Sequence, residues 1–310
     1  MVSVGKLFIR LVLLSLVLSP IACQKQETTA SPSTAATPPS NSPNTSRTRH
    51  TTTIAQLDST LKQNPKDVTA YRDRGRHHFA LGERLLANTA DPQEAQADLQ
   101  HLQAALKDFN QVIQYQPKDA ETYNDRGQVY LTFFDRIRRP FYDSEIYQKT
   151  SDGNKDDGFY AKRAIADFNQ AIKLNPNNAA AYKYRGMTQL LLGDLQKAAA
   201  DLNQAITLDP KDAEAYKVRG MAFFEHSLPP SHEKDHVQKA LADLNQAIQL
   251  KPNYPEAYID RGNVLYSTLA LGKKQPALND YHKAIELYRQ QGNPQSWLEE
   301  SLPALEAAAQ

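Results

Sequence analysis

The sequence is poor in residues that do covalent or redox work. Its 310 residues include one cysteine, Cys23. A single thiol forms no disulfide within the chain and cannot supply a cysteine-based zinc site of the usual four-ligand kind. An excess of charge of one sign is also missing. The chain carries 36 Lys and Arg against 35 Asp and Glu, so bulk charge gives no reason to expect nucleic acid as a partner. Hydrophobic residues make up 40% of the chain, low for one deep core and suited to a thin two-layer array. No phosphate-binding glycine loop, nucleophile elbow or His-Glu-x-x-His motif occurs. The chain therefore reads as a non-enzyme without a cofactor or a resident metal.

Long apolar runs are scarce too. The one that stands out, Leu11 to Ala22, has 12 residues, against the roughly 20 that a membrane-spanning helix needs. Lys6 and Arg10 precede it, and Pro20 interrupts it. Residues 1–22 read as a signal peptide. Pro20-Ile21-Ala22-Cys23 resembles a bacterial lipobox, with Pro20 where leucine is usual. That resemblance implies lipid attachment at Cys23 and anchoring outside the cytoplasm, on the cell membrane or the outer membrane. Residues 23–53 follow as a tether. From Gln24 to Thr53 there are 14 Ser or Thr and four Pro, and no apolar residue larger than alanine. Such a segment buries too little surface to offset its ordering entropy, so disorder is expected.

The rest of the chain repeats itself. Tyr-x-x-Arg-Gly occurs at Tyr71–Gly75, Tyr123–Gly127, Tyr182–Gly186, Tyr216–Gly220 and Tyr258–Gly262, each time with a proline six residues before the tyrosine. A second string recurs: Asp108-Phe-Asn-Gln-Val-Ile113, Asp167-Phe-Asn-Gln-Ala-Ile172, Asp201-Leu-Asn-Gln-Ala-Ile206, Asp243-Leu-Asn-Gln-Ala-Ile248 and Asp280-Tyr-His-Lys-Ala-Ile285. From each Asp to the next Gly is always 19 residues, whereas Gly to Asp within a unit is 33, 40, 15, 23 or 18. Insertions therefore fall at one junction only. The third unit is uninterrupted. There Tyr182, Leu190 and Leu191 recur at helical spacing, Gly193-Asp194 makes a turn, and Leu195, Ala198, Leu202, Ala205 and Ile206 recur at helical spacing again. Each unit is thus two helices. Asp67, Asp119, Asn178 and Asp212, two residues past a proline, are placed to cap the next first helix.

This pattern resembles the tetratricopeptide repeat. In unit three Tyr182, Gly186, Ala198, Leu202, Ala205 and Pro210 stand at that family's signature positions, with Gln189 where tyrosine is usual. The resemblance implies an all-α, right-handed solenoid of about five helix pairs. The array is expected over residues 54–294, with repeat cores near 68–117, 120–176, 179–212, 213–252 and 255–289. Ile54, Leu57 and Leu61 mark a capping helix before it. Residues 295–310, with Trp297, Leu298, Leu302 and Leu305, mark another after it.

Five copies in one chain allow an internal comparison. Residues identical in every copy serve the fold. On this basis Arg74, Arg126, Arg185, Arg219 and Arg261 are expected to pair with Asp108, Asp167, Asp201, Asp243 and Asp280 of the same units. Positions that vary are where binding can reside. The resemblance places two rows of first-helix residues along a peptide-binding groove: Arg72, Asn124, Lys183, Lys217 and Ile259, then Arg76, Gln128, Met187, Met221 and Asn263. None is acidic, which suits an acidic or carboxylate-bearing peptide, with the methionines as an adaptable apolar patch.

Three other features compete for a role. Arg136, Arg138, Arg139, Phe141, Tyr142 and Tyr147 in the longest insertion have the composition of an interface. Asp152-Gly-Asn-Lys-Asp156 resembles the start of a calcium loop, but Asp157 stands where glycine is required and Arg163 where a chelating Glu is required. His226, His232 and His236 with Asp235 have zinc-compatible chemistry, and a polar surface loop has the same composition. The leading expectation is a membrane-anchored extracytoplasmic scaffold that binds another protein. A self-assembling envelope protein is the alternative, and a metal-dependent enzyme built on the His226–His236 loop is weaker still.

Overall fold

The computed structural model describes residues 43–83, 92–138, 158–227, 234–268, 274–293 and 295–309. Residues 1–22, Cys23 and the tether up to residue 42 lie outside the described residues. So do Arg139, Phe141, Tyr142, Tyr147, His232 and residues 152–157. Among the described residues there are twelve helices and no strands. They fall into two compact units, one ending at Pro117 and one starting at Lys118.

The N-terminal unit contains α1 (Pro43–Gln63), α2 (Val68–Glu83) and α3 (Pro92–Tyr115). The C-terminal unit contains four helix pairs. These are α4 (Ala120–Arg138) with α5 (Gly158–Leu174), and α6 (Ala179–Leu191) with α7 (Leu195–Leu208). Then come α8 (Ala213–Ser227) with α9 (Lys234–Leu250), and α10 (Pro255–Thr268) with α11 (Gln275–Gln290). Helix α12 (Ser296–Ala309) closes this unit. Within it, each helix packs mainly on its neighbours in sequence, and first helices of adjacent pairs touch as well.

Local chemistry sets the boundaries. Asp67 accepts the Ala70 amide at 2.9 Å, Asn178 accepts that of Ala181 at 3.1 Å, and Asp212 accepts those of Glu214 and Ala215 at 2.9 and 3.1 Å. Asp119 accepts the Glu121 amide at 3.2 Å and the Thr122 hydroxyl at 2.6 Å. The turn in the uninterrupted repeat needs its glycine. Gly193 has φ +81°, its amide reaches the Leu190 carbonyl at 3.0 Å, and the Asp194 amide reaches that of Gln189 at 2.9 Å. This is the glycine-ended helix stop that a β-carbon would strain.

Between paired helices the glycine of the first helix receives the large side chain that follows the repeated Asp. A β-carbon on Gly127 would meet the Phe168 ring at 2.6 Å, and one on Gly262 would meet the Tyr281 ring at 2.7 Å. Phe109, Leu202 and Leu244 fill the same place against Gly75, Gly186 and Gly220. Ala105, Ala164, Ala198, Ala240 and Ala277, one turn earlier, are all 0% exposed. Small residues let the helices approach and one large residue fills the seam. At the end of the array, Leu298 and Leu302 of α12 join Tyr266, Tyr281 and Ile285 in one cluster, with Trp297 and Leu305 packed against it.

Two departures from the sequence reading follow. The segment expected as tether is already helical from Pro43. The hydroxyls of Thr51, Thr52 and Thr53 turn back to the carbonyls of Arg47, Thr48 and Arg49, which satisfies them within the helix. His50 meets His77 of α2, and such tertiary contact sustains helices of weak propensity. In addition, the first repeat's insertion is partly absorbed as helix. Helix α3 has 24 residues where α7 has 14.

Candidate functional site

The residues identical in every repeat meet as a lattice. Arg74 donates from Nε and Nη2 to Asp108 at 2.9 and 2.6 Å, and Arg126 does so to Asp167 at 2.8 and 2.7 Å. Arg185 with Asp201, Arg219 with Asp243 and Arg261 with Asp280 repeat the two-pronged contact at 2.6–2.8 Å. Each guanidinium also lies 5.4–5.6 Å from the ring of the tyrosine three residues before it. The recurring Tyr-x-x-Arg is therefore one stacked unit. The hydrogen bonds that Arg185 and Arg261 donate to Asp201 and Asp280 hold both guanidinium groups above the ordinary arginine value. Burial pushes the Asp108 and Asp167 carboxyls up before their arginines pull them down. These are desolvated pairs, in which neither partner tolerates loss of the other.

A third member of the lattice has a signature in the sequence that pairing logic does not supply. The third nitrogen of Arg185, Arg219 and Arg261 reaches back to the preceding repeat. Arg185, Arg219 and Arg261 donate from Nη1 to Asn169, Asn203 and Asn245 at 2.6, 2.8 and 2.6 Å. Each is the asparagine two residues after the repeated Asp. Asp58 on α1 takes this role toward Arg74 at 2.6 Å. The same position in the last repeat is His282, which meets Glu306 of the closing helix at 3.0 Å. One arginine thus ties three helices across a repeat boundary.

The two variable rows, expected to line a groove suited to an acidic peptide, share one face of the first helices. In the C-terminal unit all eight are buried: Asn124 8%, Gln128 6%, Lys183 8%, Met187 0%, Lys217 2%, Met221 1%, Ile259 1% and Asn263 7% exposed. Nor is the charge available for a carboxylate ligand. Lys183 binds Asp212 at 2.9 Å and Glu214 at 2.7 Å, both at the start of the following pair. The Lys217 ammonium lies 5.4 Å from the Tyr254 ring centre. Spacing identified a shared helix face but could not reveal the acids that neutralise it from the next repeat. In the N-terminal unit Arg72 and Arg76 are half-buried, and Arg72 reaches Gln116 at 3.4 Å.

What this face does hold is uncompensated polarity. Asn124 Oδ1, Asp260 Oδ2 and Asn263 Nδ2 are buried without a hydrogen-bond partner, although Asn263 Oδ1 accepts the Tyr281 hydroxyl at 2.9 Å. Burial pushes the Asp260 carboxyl up to about 7, with Lys217 pulling it down and Glu256 adding to the rise. An unfolded aspartate titrates near 4, so between roughly pH 4 and 7 the folded state holds a proton that the unfolded state has lost. Stability from this site is full below that window and falls as pH rises through it. Trp297 is the chain's single tryptophan and sits in this unit. Urea unfolding followed by its fluorescence should show a midpoint that falls from pH 5 to pH 7. In Asp260→Asn that slope should flatten.

The insertions contribute less. Arg136 is 0% exposed, so it is part of the interior and not of a projecting interface. His226 and His236 lie tilted against each other with ring centres 4.6 Å apart, and among the described residues no group of three or more His, Cys, Asp or Glu is placed to hold a metal. Among the same residues no helix is long and apolar enough to cross a membrane.

Helix pairs joined across boundaries by a repeated arginine define an all-α repeat scaffold. Family profiles give the repeat its name: a tetratricopeptide repeat profile matches residues 161–213, and a TPR repeat profile matches residues 232–268. Residues 161–213 and 232–268 therefore carry tetratricopeptide-type repeats, and repeats of this kind support a scaffold for protein–protein interaction. Solved structures agree on the fold. A tetratricopeptide repeat protein from Parabacteroides merdae is 16% identical, over 84% of this chain and 79% of that one, with a TM-score of 0.54. A human IFIT1 dimer with PPP-AAAA is 14% identical, over 76% of this chain and 46% of that one, with a TM-score of 0.51. No curated protein matches the chain.

Proposed function

We propose that the chain is a lipid-anchored adaptor outside the cytoplasm. Its first-helix face takes an extended segment of an envelope protein. The observation that carries this reading is the set of buried, partnerless polar atoms on Asn124, Asp260 and Asn263. Leaving such atoms unsatisfied costs about 1–3 kcal/mol each. These atoms are closed to solvent, so the segment must part the side chains over them; an extended backbone then offers both amides and carbonyls as the missing partners. Because Lys183 is already neutralised within the protein, the segment is selected by its backbone and small polar groups, not by acidity. The lipobox-like sequence ending at Cys23 supports the anchor, and two or more acyl chains would make it stable.

Both parts are testable in the native host. Cys23→Ser should move the protein from the membrane fraction to the soluble one, and unchanged fractionation sinks the anchor. Crosslinking and affinity capture should recover one envelope protein with the wild-type chain. Recovery should fall at least tenfold with Asn124→Leu/Asn263→Leu, a loss of about 1.4 kcal/mol or more. If the chain recovers only itself, equally in both forms, self-assembly replaces the adaptor.

A further inference from the structure

The N-terminal unit is sewn together by histidines. His50 of α1 meets His77 of α2, with Nδ1 atoms 2.7 Å apart. His78, the next residue of α2, meets His101 of α3, with Nδ1 atoms 2.9 Å apart. The rings lie 5.0 and 5.2 Å apart at their centres. All four are half-buried. Neighbouring positions on α2 thus hold both flanking helices through the same chemistry.

A contact between two Nδ1 atoms at this distance fixes protonation. One ring must carry its proton on Nδ1 and the other must offer a lone pair there. When both rings are charged, two N–H groups and two positive charges face each other at under 3 Å, and the contact is lost. The surrounding charges do little to prevent this. On α1, Arg47 opposes a charge on His101, and Asp58 favours one on His78 but is already bound by Arg74. On α2, Arg74 opposes a charge on His78, and Asp73 favours one on His77. On α3, Asp98 lies one turn before His101, and Asp108 is taken up by Arg74. Burial is the largest influence on His77, His78 and His101, and each is held below the ordinary imidazole value.

We propose that these two imidazole pairs form a proton-operated latch, which holds α1, α2 and α3 together at neutral pH and releases them in mild acid. The sign follows from linkage. Rings that are neutral when folded take up protons on unfolding, so their contribution is full above the unfolded value near 6.5 and is lost as pH falls below it. Between pH 6.5 and 4 the N-terminal unit therefore weakens, while the Asp260 site strengthens the C-terminal unit.

Hydrogen exchange on the full chain tests this, with intrinsic rates corrected for pH. Each neutral-held ring shifts the opening equilibrium by up to about tenfold at pH 5.5. Peptides from residues 68–83 and 92–115 should lose tenfold or more in protection between pH 7.5 and 5.5, while residues 179–208 keep theirs. In His78→Gln/His101→Gln, whose amides bond but do not titrate, the loss should shrink at least threefold. Should that variant fold poorly, NMR titration of the wild-type rings gives the answer: His77, His78 and His101 should titrate below the ordinary imidazole value near 6.5. Unchanged protection in the wild type, or titration of those rings at 6.5 or above, overturns the latch.

Discussion

Replacing Arg219 by alanine is expected to destabilise the C-terminal unit by about 3–5 kcal/mol. The Arg219 side chain is 19% exposed and the Asp243 side chain 9%, so truncation leaves a largely desolvated carboxylate with nothing to neutralise it. It also frees Asn203 on the preceding repeat, which the arginine holds at 2.8 Å, and removes the cation from above Tyr216. Arg219→Lys should recover little, because an ammonium cannot make the two-pronged contact and reach Asn203 at once. Arg219→Leu/Asp243→Leu should be far milder than either single change, since no charge is then left buried alone. The measurement is urea unfolding, followed by helical circular dichroism and Trp297 fluorescence. A double variant as damaged as Arg219→Ala would mean that the pair contributes packing and not charge compensation.

Phe168→Ala should cost a comparable 3–5 kcal/mol. The ring is 0% exposed and occupies the seam against Gly127, where an added β-carbon would come within 2.6 Å of it. The two positions are coupled. Gly127→Ala alone should be destabilising, because the steric cost of about 1–3 kcal/mol exceeds the gain in helix propensity of about 1 kcal/mol. Made together with Phe168→Ala, the same change fills part of the cavity and restores propensity, so the double variant should be more stable than Phe168→Ala. A double-mutant cycle by urea unfolding reads that coupling directly. Additive effects would show that the glycine is not there for the ring.

Internal repetition made the fold readable. The Tyr-x-x-Arg-Gly and Asp strings share a phase, and a residue retained in five unlike repeats is retained for packing. That logic points to the Arg–Asp pairs from the sequence alone. It missed Asn169, Asn203 and Asn245, although the same string displays them, because a pairing argument looks for opposite charge and a neutral amide carries none. Burial of the variable rows was hidden for a different reason. Helix periodicity says which residues share a face, and not that Asp212 and Glu214 of the following pair reach Lys183. The histidine pairs were equally invisible, since His50, His77, His78 and His101 sit on three helices and have no common spacing. The helix from Pro43 was masked by composition. Its threonines suggest disorder until their hydroxyls are seen bonded to the helix's own carbonyls.

Residues repeated in every copy build the scaffold, and the varying first-helix face is proposed to bind the partner. Hydrogen exchange of the chain with and without its captured partner tests this most directly. The account predicts that added protection falls on residues 120–138, 179–191, 213–227 and 255–268, with little change on 195–208 and 234–250. Protection confined to those second helices, with the first helices unchanged, would contradict it.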